Sequence, residues 1–576
     1  MKRMPSEKSI KQALLILLVV SFAVRAFLAG FIEFTNDEVY YWTYAKFPDW
    51  SHFDHPPMVG WVIQIFTMNL HLQHEFFIRL GAVVTGTFNT WLIYRLGKQI
   101  KDPLTGLFAA FLYTSSLYCF IISGTFIMPD TPQVTFWLLS MYLLMSALPD
   151  RELLPASRRK LLMAGVTVGL AMLSKYHSVF LVGGVFLYMV FFNRNWFRAK
   201  ETYIAFAITT FFFMPVVIWN YQNEFISYRF HETRMQSADK LIHWDFFGAE
   251  FAGQFLYNGP VNGILIVLTL IALIRKRHFM DKQRLWLIIL ISAPLSLIIL
   301  GVSFFRPTLP HWTGPAYLGY ILVISAWLTD TRLKKHLLPW PLVVSLLLMI
   351  SIVSAGYGQI RFGFVDLERY KVEDLTKMLT GWKELGEKFD VIAKRDIANH
   401  EMAADAPLLT FRWFPAANLD YYVGTRIHKK VYALGTLERI HKYFWINRSR
   451  GNLHRGINAY FVVDKDDFSD PVEQYGALFD SIRITDTIRT FRYSKPAREI
   501  YVYRLYHLKR EISFTKLTDF TEPSDELVRY FYHNITLHPD WYQAIKERAV
   551  KDNRPVEEVM WQEARYVAEK SSKEKK

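Results

Sequence analysis

Apolar runs of about 15 to 22 residues recur through the first 355 positions, separated by short polar loops, a length suited to a hydrocarbon layer of about 30 Å. The pattern predicts spanning helices near 12–32, 76–95, 104–122, 132–148, 161–174, 178–192, 202–219, 251–274, 285–302, 313–328 and 337–355. Most of these runs lack a polar face, which argues against the packed helices of a soluble protein. The first run has basic residues ahead of it and Ala29-Gly30 near its end, as a signal peptide would. Its length and the ten runs that follow favour an uncleaved span. Eleven spans place the two ends of the chain on opposite sides.

Charge then gives this pattern a direction. Segments 1–11, 95–101, 149–160, 193–200, 275–284 and 329–336 together hold 22 Lys and Arg, whereas 120–131, 174–178 and 303–312 hold two. Basic loops stay in the cytoplasm, so the N-terminus is expected there, with loops 33–75, 120–131, 220–250 and 303–312 on the outer side. Everything beyond 355 is expected outside as well.

Past that point the pattern changes to mixed polar sequence without a spanning run. Short alternating or β-branched stretches at Leu408–Phe411, Tyr460–Val463 and Ile500–Tyr506 predict strands between helical stretches such as 366–395. Residues 356–510 are thus expected to form a small extracytoplasmic α/β domain. Residues 511–576 are expected to form a helical extension. Pro555 opens a helix there with Val556, Val559, Met560, Glu563, Ala564 and Val567 on one side, a mostly apolar stripe suited to packing on the neighbouring domain. Lys570–Lys576 reads as a solvated end.

Composition adds little beyond this. The 576 residues are 52% hydrophobic and 21% charged, with a net charge of +15. Because the basic residues sit in particular loops between apolar runs, the excess is a topological signal and not a nucleic-acid footprint. Cys119 is the sole cysteine, which excludes an internal disulfide and a cysteine-type zinc site.

The chemistry gathers on the outer side. The first loop reads Thr35-Asn36-Asp37-Glu38 and then Phe53-Asp54-His55-Pro56-Pro57. Adjacent carboxylates beside a membrane are costly unless solvated, paired or used. On a helix, Asp37 and Glu38 point in different directions, so separate tasks are expected and not a shared proton. The bland alternative is an acidic helix start capped by Asn36 or Asp37. Asp130 stands in Pro129-Asp130-Thr131-Pro132, where a helix cap is again the simple reading. Lys175, Tyr176 and His177 occupy a tight outward turn. Arg306, His311 and Trp312 occupy a proline-rich one, and Trp219, Asn220, Arg229, His231 and Arg234 follow the seventh run. A positioned carboxylate can take the proton of an attacking hydroxyl, and Lys, Arg or His can meet a leaving phosphate. Nucleotide-binding glycine motifs are missing, which fits a membrane-carried donor.

These motifs resemble the GT-C glycosyltransferases, in particular the bacterial aminoarabinose (lipid A) transferases and the protein O-mannosyltransferases. The likeness rests on Asp37-Glu38, Asp54-His55-Pro56-Pro57, Pro129-Asp130-Thr131-Pro132, Ser174-Lys175-Tyr176, Ile218-Trp219-Asn220 and Pro310-His311-Trp312. It implies an α-helical polytopic membrane enzyme of the bacterial cytoplasmic membrane that moves a monosaccharide from a polyprenyl-phosphate donor to a lipid A, glycan or protein acceptor. It also implies Asp37 as base, Glu38 and Asp130 as further catalytic carboxylates, and Asp54, His55, Lys175, Tyr176, Arg306 and His311 as substrate-binding groups. A divalent metal ion stays open as a cofactor, since two adjacent acids do not make a metal site. A transporter or lipid flippase is the competing class. Against it, the ionisable clusters lie in outward loops and not at the midplane.

Overall fold

The computed structural model describes residues 5–235, 242–275, 278–370, 372–515 and 526–574. The chain divides into two compact units, one of Met1–Ile32 with Tyr41–Gly356 and one of Glu33–Tyr40 with Tyr357–Lys576.

The first unit is helical. In chain order its elements are α1 (Glu7–Phe31), α2 (Asn36–Lys46, which the unit boundary divides), α3 (Met58–Phe66), α4 (Glu75–Ile100), α5 (Pro103–Thr114), α6 (Asp130–Ala147), α7 (Pro155–Met172) and α8 (Val179–Phe191). There follow α9 (Lys200–Gln222), α10 (Ile226–Met235), α11 (Trp244–Asn258), α12 (Pro260–Ile274), α13 (Lys282–Val302), α14 (Gly314–Leu328) and α15 (Trp340–Phe362).

The expectation of eleven spans is corrected. Among the described residues, only α1, α4, α9, α13 and α15 are long and apolar enough to cross a membrane, and α11 with α12 makes a sixth if that bent pair is one span. Run 104–122 breaks into the 12-residue α5 and a π-turn at Tyr118–Ile122. At 1.5 Å per residue α5 reaches only about 18 Å. α8 has 13 residues and α14 has 15. α7 begins with Arg158, Arg159 and Lys160, which shortens its apolar part, and α6 is interrupted by Gln133, Thr135 and Ser140. Run 251–274 folds back by 104° at Gly259, whose φ of +88° suits glycine.

Helix ends and crossings have local causes. Ser6 Oγ caps α1 by accepting from Ser9 N at 3.1 Å. Asp102 caps α5 just ahead of Pro103, accepting from Thr105 N at 2.8 Å. Arg79 on α4 is fully buried and donates to the Ala29 and Ile32 carbonyls at 3.2 and 2.5 Å, which satisfies the orphan end of α1. α4 and α5 approach so closely that a Cβ on Gly97 would come within 2.7 Å of Gly106 Cα, the small-residue contact typical of membrane helices. The core beneath includes Phe108, Trp137, Met141, Leu287 and Leu318.

The second unit carries one five-stranded sheet. Its strands are β1 (Leu408–Thr410), β2 (Val431–Ala433), β3 (Ala459–Asp464), β4 (Phe479–Arg492) and β5 (Lys495–Leu508), in the order β2-β1-β3-β5-β4. β1 runs parallel to β2 and β3, while β5 pairs antiparallel with β3 and β4. The expected strands at 408–411, 460–463 and 500–506 lie on β1, β3 and β5. β2 and β4 fall where no strand is expected; in β4 the charged Asp480, Arg483, Asp486 and Arg489 recur every third residue, which hides the two-residue alternation of a strand, and its pairing is irregular between Ile484 and Asp486. Stretch 366–395 resolves into two 3-10 turns and α16 (Trp382–Ala398). A short α17 (Trp413–Leu419) follows β1.

The stripe on the last helix, 556–574, packs mainly within the tail itself. Val559, Met560 and Ala564 form a core with Ile535, Ile545 and Ala549 of the two preceding helices. Lys575 and Lys576 of the expected solvated end lie outside the described residues.

Candidate functional site

The first unit assembles its polar residues around Asp130. This residue opens α6, and its side chain is 1% exposed. Lys175 Nζ donates to Asp130 Oδ2 at 2.8 Å, and Tyr118 Oη donates to Oδ1 at 2.8 Å. Both carboxylate oxygens are thereby engaged, one by a cation and one by a phenol. Lys175 reaches this position because the chain leaves α7 through Ser174, which caps back onto Leu170 O at 2.8 Å. Tyr118 reaches it because the π-turn after α5 redirects the chain, and Gly314 makes room: a Cβ there would lie 2.0 Å from the Tyr118 ring.

Four histidines share this environment. His311, from the turn before α14, interacts electrostatically with Asp130 and Lys175, and His177 does so with Lys175, Asp130, His231 and His55. Burial pushes His55 down to about 3 and His311 down to about 4, with Lys175 adding repulsion and neighbouring carboxylates opposing it. His177 is likewise pushed down by burial and then by Lys175. All three are therefore neutral at physiological pH. His55 Nδ1 and His177 Nδ1 are buried without a hydrogen-bond partner among the described residues.

The loop between α2 and α3 is pinned to this wall. Tyr44 Oη donates to Asp54 Oδ1 at 2.6 Å, the Asp54 carbonyl lies 2.9 Å from His231 Nε2, and the Tyr176 and His231 rings meet edge to face at 5.3 Å. Trp219 Nε1 donates to Asp49 Oδ2 at 2.8 Å, and Ser227 Oγ donates to the His52 carbonyl at 3.1 Å. Arg306 lies half-buried in the turn after α13. The side chain of Arg234 lies outside the described residues.

Asp37 and Glu38 belong to the second unit. Thr35, and not Asn36 or Asp37, starts α2: Thr35 Oγ1 accepts from Glu38 N at 3.2 Å, and Glu38 Oε2 accepts from Thr35 N at 3.1 Å. This reciprocal pair is a capping box, legible beforehand as Thr35-x-x-Glu38. Glu38 is completely buried, while its neighbour Asp37 is exposed. The two carboxylates therefore differ in accessibility as well as direction.

Tyr118 and Gly314 carry no signal in the sequence, since a tyrosine or glycine in an apolar run is ordinary membrane composition, and Tyr44 is one of several aromatic residues in its loop. Among the described residues, no group of three or more His, Cys, Asp and Glu side chains is arranged to hold a metal ion.

Residues 54–219, which hold Asp54, His55, Asp130 and Lys175, match the family described as dolichyl-phosphate-mannose-protein mannosyltransferase. The lipid A galacturonosyltransferase RgtD of Rhizobium johnstonii is 23% identical over 333 residues, covering 56% of this chain and 67% of that protein. ArnT from Cupriavidus metallidurans, in its crystal structure bound to undecaprenyl phosphate, has a TM-score of 0.57 at 13% identity, covering 86% of this chain and 98% of that one. The chain has the fold of this ArnT. The apo form of the same ArnT gives a TM-score of 0.54 at 12% identity over 85% of this chain and 97% of that one. The chain is thus similar in sequence to a family of mannosyltransferases over residues 54–219 and to a lipid A galacturonosyltransferase, and similar in fold to ArnT.

Proposed function

We propose that this chain transfers a monosaccharide, with inversion, from a polyprenyl-phosphate donor to an acceptor at the outer face of a bacterial cytoplasmic membrane. The observation that carries this reading is the buried Lys175–Asp130 pair, surrounded by neutral histidines and lying at the end of α6 remote from the basic cluster Arg158, Arg159 and Lys160. Basic helix ends face the cytoplasm, so the Asp130 end faces outward and the N-terminus inward.

The reaction needs a base and an anion sink. An acceptor hydroxyl oxygen attacks the anomeric carbon from the side opposite the phosphate. Its proton passes to Asp37, the exposed carboxylate of the first loop, and the bond from the anomeric carbon to the phosphate oxygen breaks with its electron pair on the phosphate. Lys175 holds two further N–H donors beyond the one given to Asp130, and these with Arg306 stabilise the departing charge. Asp130 and Tyr118 hold the ammonium in place. His55, His311, Tyr176 and Asp54 shape the donor side, and Glu38 fixes the start of the helix that presents Asp37.

The galacturonosyltransferase relative is named for lipid A, and the ArnT structure holds undecaprenyl phosphate. The first supports a lipid A acceptor, with an envelope glycan or a protein as the other candidates, and the second supports an isoprenoid-phosphate donor. Mass spectrometry of polyprenyl-phosphate sugars tests the reading in cells making wild-type protein or Asp37→Asn at equal level. One sugar-lipid accumulating only in the variant supports it and identifies the donor, whereas an unchanged profile with the donor detectable removes Asp37 as the base.

A further inference from the structure

The second unit contains a cavity of about 420 Å³, within the roughly 300–1,000 Å³ usual for small-molecule sites. It lies between α17 and the segment that leads into α16, with β3 behind it. Asn36, the residue before Asp37, is part of its wall and is held there by Asn418 Nδ2, which donates to Asn36 Oδ1 at 2.9 Å.

The lining is acidic. Five carboxylates stand against three cations, a net of −2. Each cation is already committed: Lys377 Nζ lies 3.0 Å from Asp466, Arg412 lies 2.9 Å from Asp467, and Arg498 is paired with Asp464. The acceptor side is not saturated. Asp467 Oδ2 has no hydrogen-bond partner among the described residues, and burial raises the Asp467 carboxyl above its ordinary value despite Arg412. A carboxylate only accepts, so an occupant must bring donors. The remaining wall is aromatic, from Trp382, Phe411 and Phe414. Arg498 sits 4.5 Å from the centre of the Trp382 ring, and Arg412 sits 5.1 Å from that of Phe411, so the aromatic and charged parts are braced against each other.

Committed cations exclude phosphate and carboxylate ligands, which would meet net repulsion. Carboxylate acceptors beside aromatic rings instead suit a molecule with several hydroxyl or ammonium donors around an apolar C–H face. We infer that this cavity is a saccharide subsite for a neutral or amino-bearing sugar. Its assignment to the glycan part of the acceptor rests on the transferase reading given above, whereas the ligand class rests on the cavity alone.

Saturation-transfer NMR on the full-length chain in detergent micelles tests this, with D-glucose, D-glucosamine and D-glucose 6-phosphate as probes. Wild-type protein is expected to give signals from glucose and, more strongly, from glucosamine, with glucose 6-phosphate weakest. Asp467→Asn and Phe414→Ala, each retaining a cooperative thermal transition, are expected to bind glucosamine at least about tenfold more weakly. Phe414→Ala leaves the Arg412–Asp467 pair intact, so it keeps the question open to test if Asp467→Asn unfolds. Equal signals in wild type and variants, no signal from any probe, or preference for the phosphate overturns the inference. Donor turnover by the wild type is read in parallel. Sugar binding without donor consumption sinks the transferase reading and leaves the subsite standing, and donor consumption without variant-sensitive sugar binding does the reverse.

Discussion

Lys175 Nζ lies 2.8 Å from Asp130 Oδ2, with the two side chains 4% and 1% exposed. Removing one member of such a pair strands the other charge in a dry site, which costs about 3–5 kcal/mol. Asp130→Asn and Lys175→Met are each expected to lower the melting temperature and to reduce turnover about 10²-fold or more, as loss of a charge-stabilising donor does. The double variant should be less destabilised than the sum of the singles, with a coupling of about 0.5–3 kcal/mol. Thermal melts of the four proteins check this, and strict additivity would show that the pair is not a unit.

Gly314 and Tyr118 test how Asp130 is held on its other side. A Cβ at Gly314 would overlap the Tyr118 ring, so Gly314→Ala must move the phenol away from Asp130 Oδ1. Overpacking of this kind costs about 1–3 kcal/mol. Tyr118→Phe removes only the hydrogen bond to a charged acceptor, about 1.5–3 kcal/mol. Both variants should lose turnover in parallel when donor consumption is assayed. Normal turnover in Gly314→Ala beside a crippled Tyr118→Phe would contradict the packing.

The buried histidines set a pH dependence. His55 and His311 are held neutral, with values near 3 and 4, below the roughly 6.5 of an unfolded chain. Between those limits the unfolded state binds more protons, so stability is unaffected above about pH 6.5 and falls as pH drops below it. Melting temperatures at pH 7.5, 6 and 5 should decline, and His55→Gln with His311→Gln should flatten the decline. An unchanged slope in that double variant would show that other groups carry it.

Thr35 and Glu38 separate structure from chemistry in the acidic pair. Thr35→Ala should cost about 1 kcal/mol through the lost cap. Glu38→Gln still completes a capping box and should keep most of the stability and turnover. Asp37→Asn should leave the melting temperature in place and abolish transfer. A dead Glu38→Gln with a normal melt would reassign the base.

Arg25 is a buried cation on α1 with no hydrogen-bond partner on any of its three nitrogens among the described residues, and its guanidinium lies 4.4 Å from the centre of the Phe120 ring. A ring face offsets about 0.5–2 kcal/mol of such a burial, well short of the desolvation cost. Arg25→Met is therefore expected to melt at or above the wild-type temperature in detergent. A fall of several degrees would mean that the guanidinium is paired by something in its native setting.

Much of the membrane part is legible in the residues alone. Helices of 21 to 26 mostly apolar residues make α1, α4, α9, α13 and α15 long and apolar enough to cross a membrane, where lipid leaves the backbone no partner but its own helix. Loop charge marks their ends, and Thr35-x-x-Glu38 marks the start of α2. Hydropathy, however, measures composition and not continuity. It does not register the π-turn at Tyr118–Ile122, the fold-back at Gly259 or the short reach of α8 and α14, so it overcounts spans. It also does not show that Asp130 meets a lysine 45 positions onward and a tyrosine 12 positions before. Those contacts depend on how α5, α6, α7 and α14 pack, down to the missing side chain of Gly314. Only the assembled helices bring residues so far apart in sequence within hydrogen-bond distance, and only there does low solvent access turn ordinary Asp, Lys and His side chains into a site.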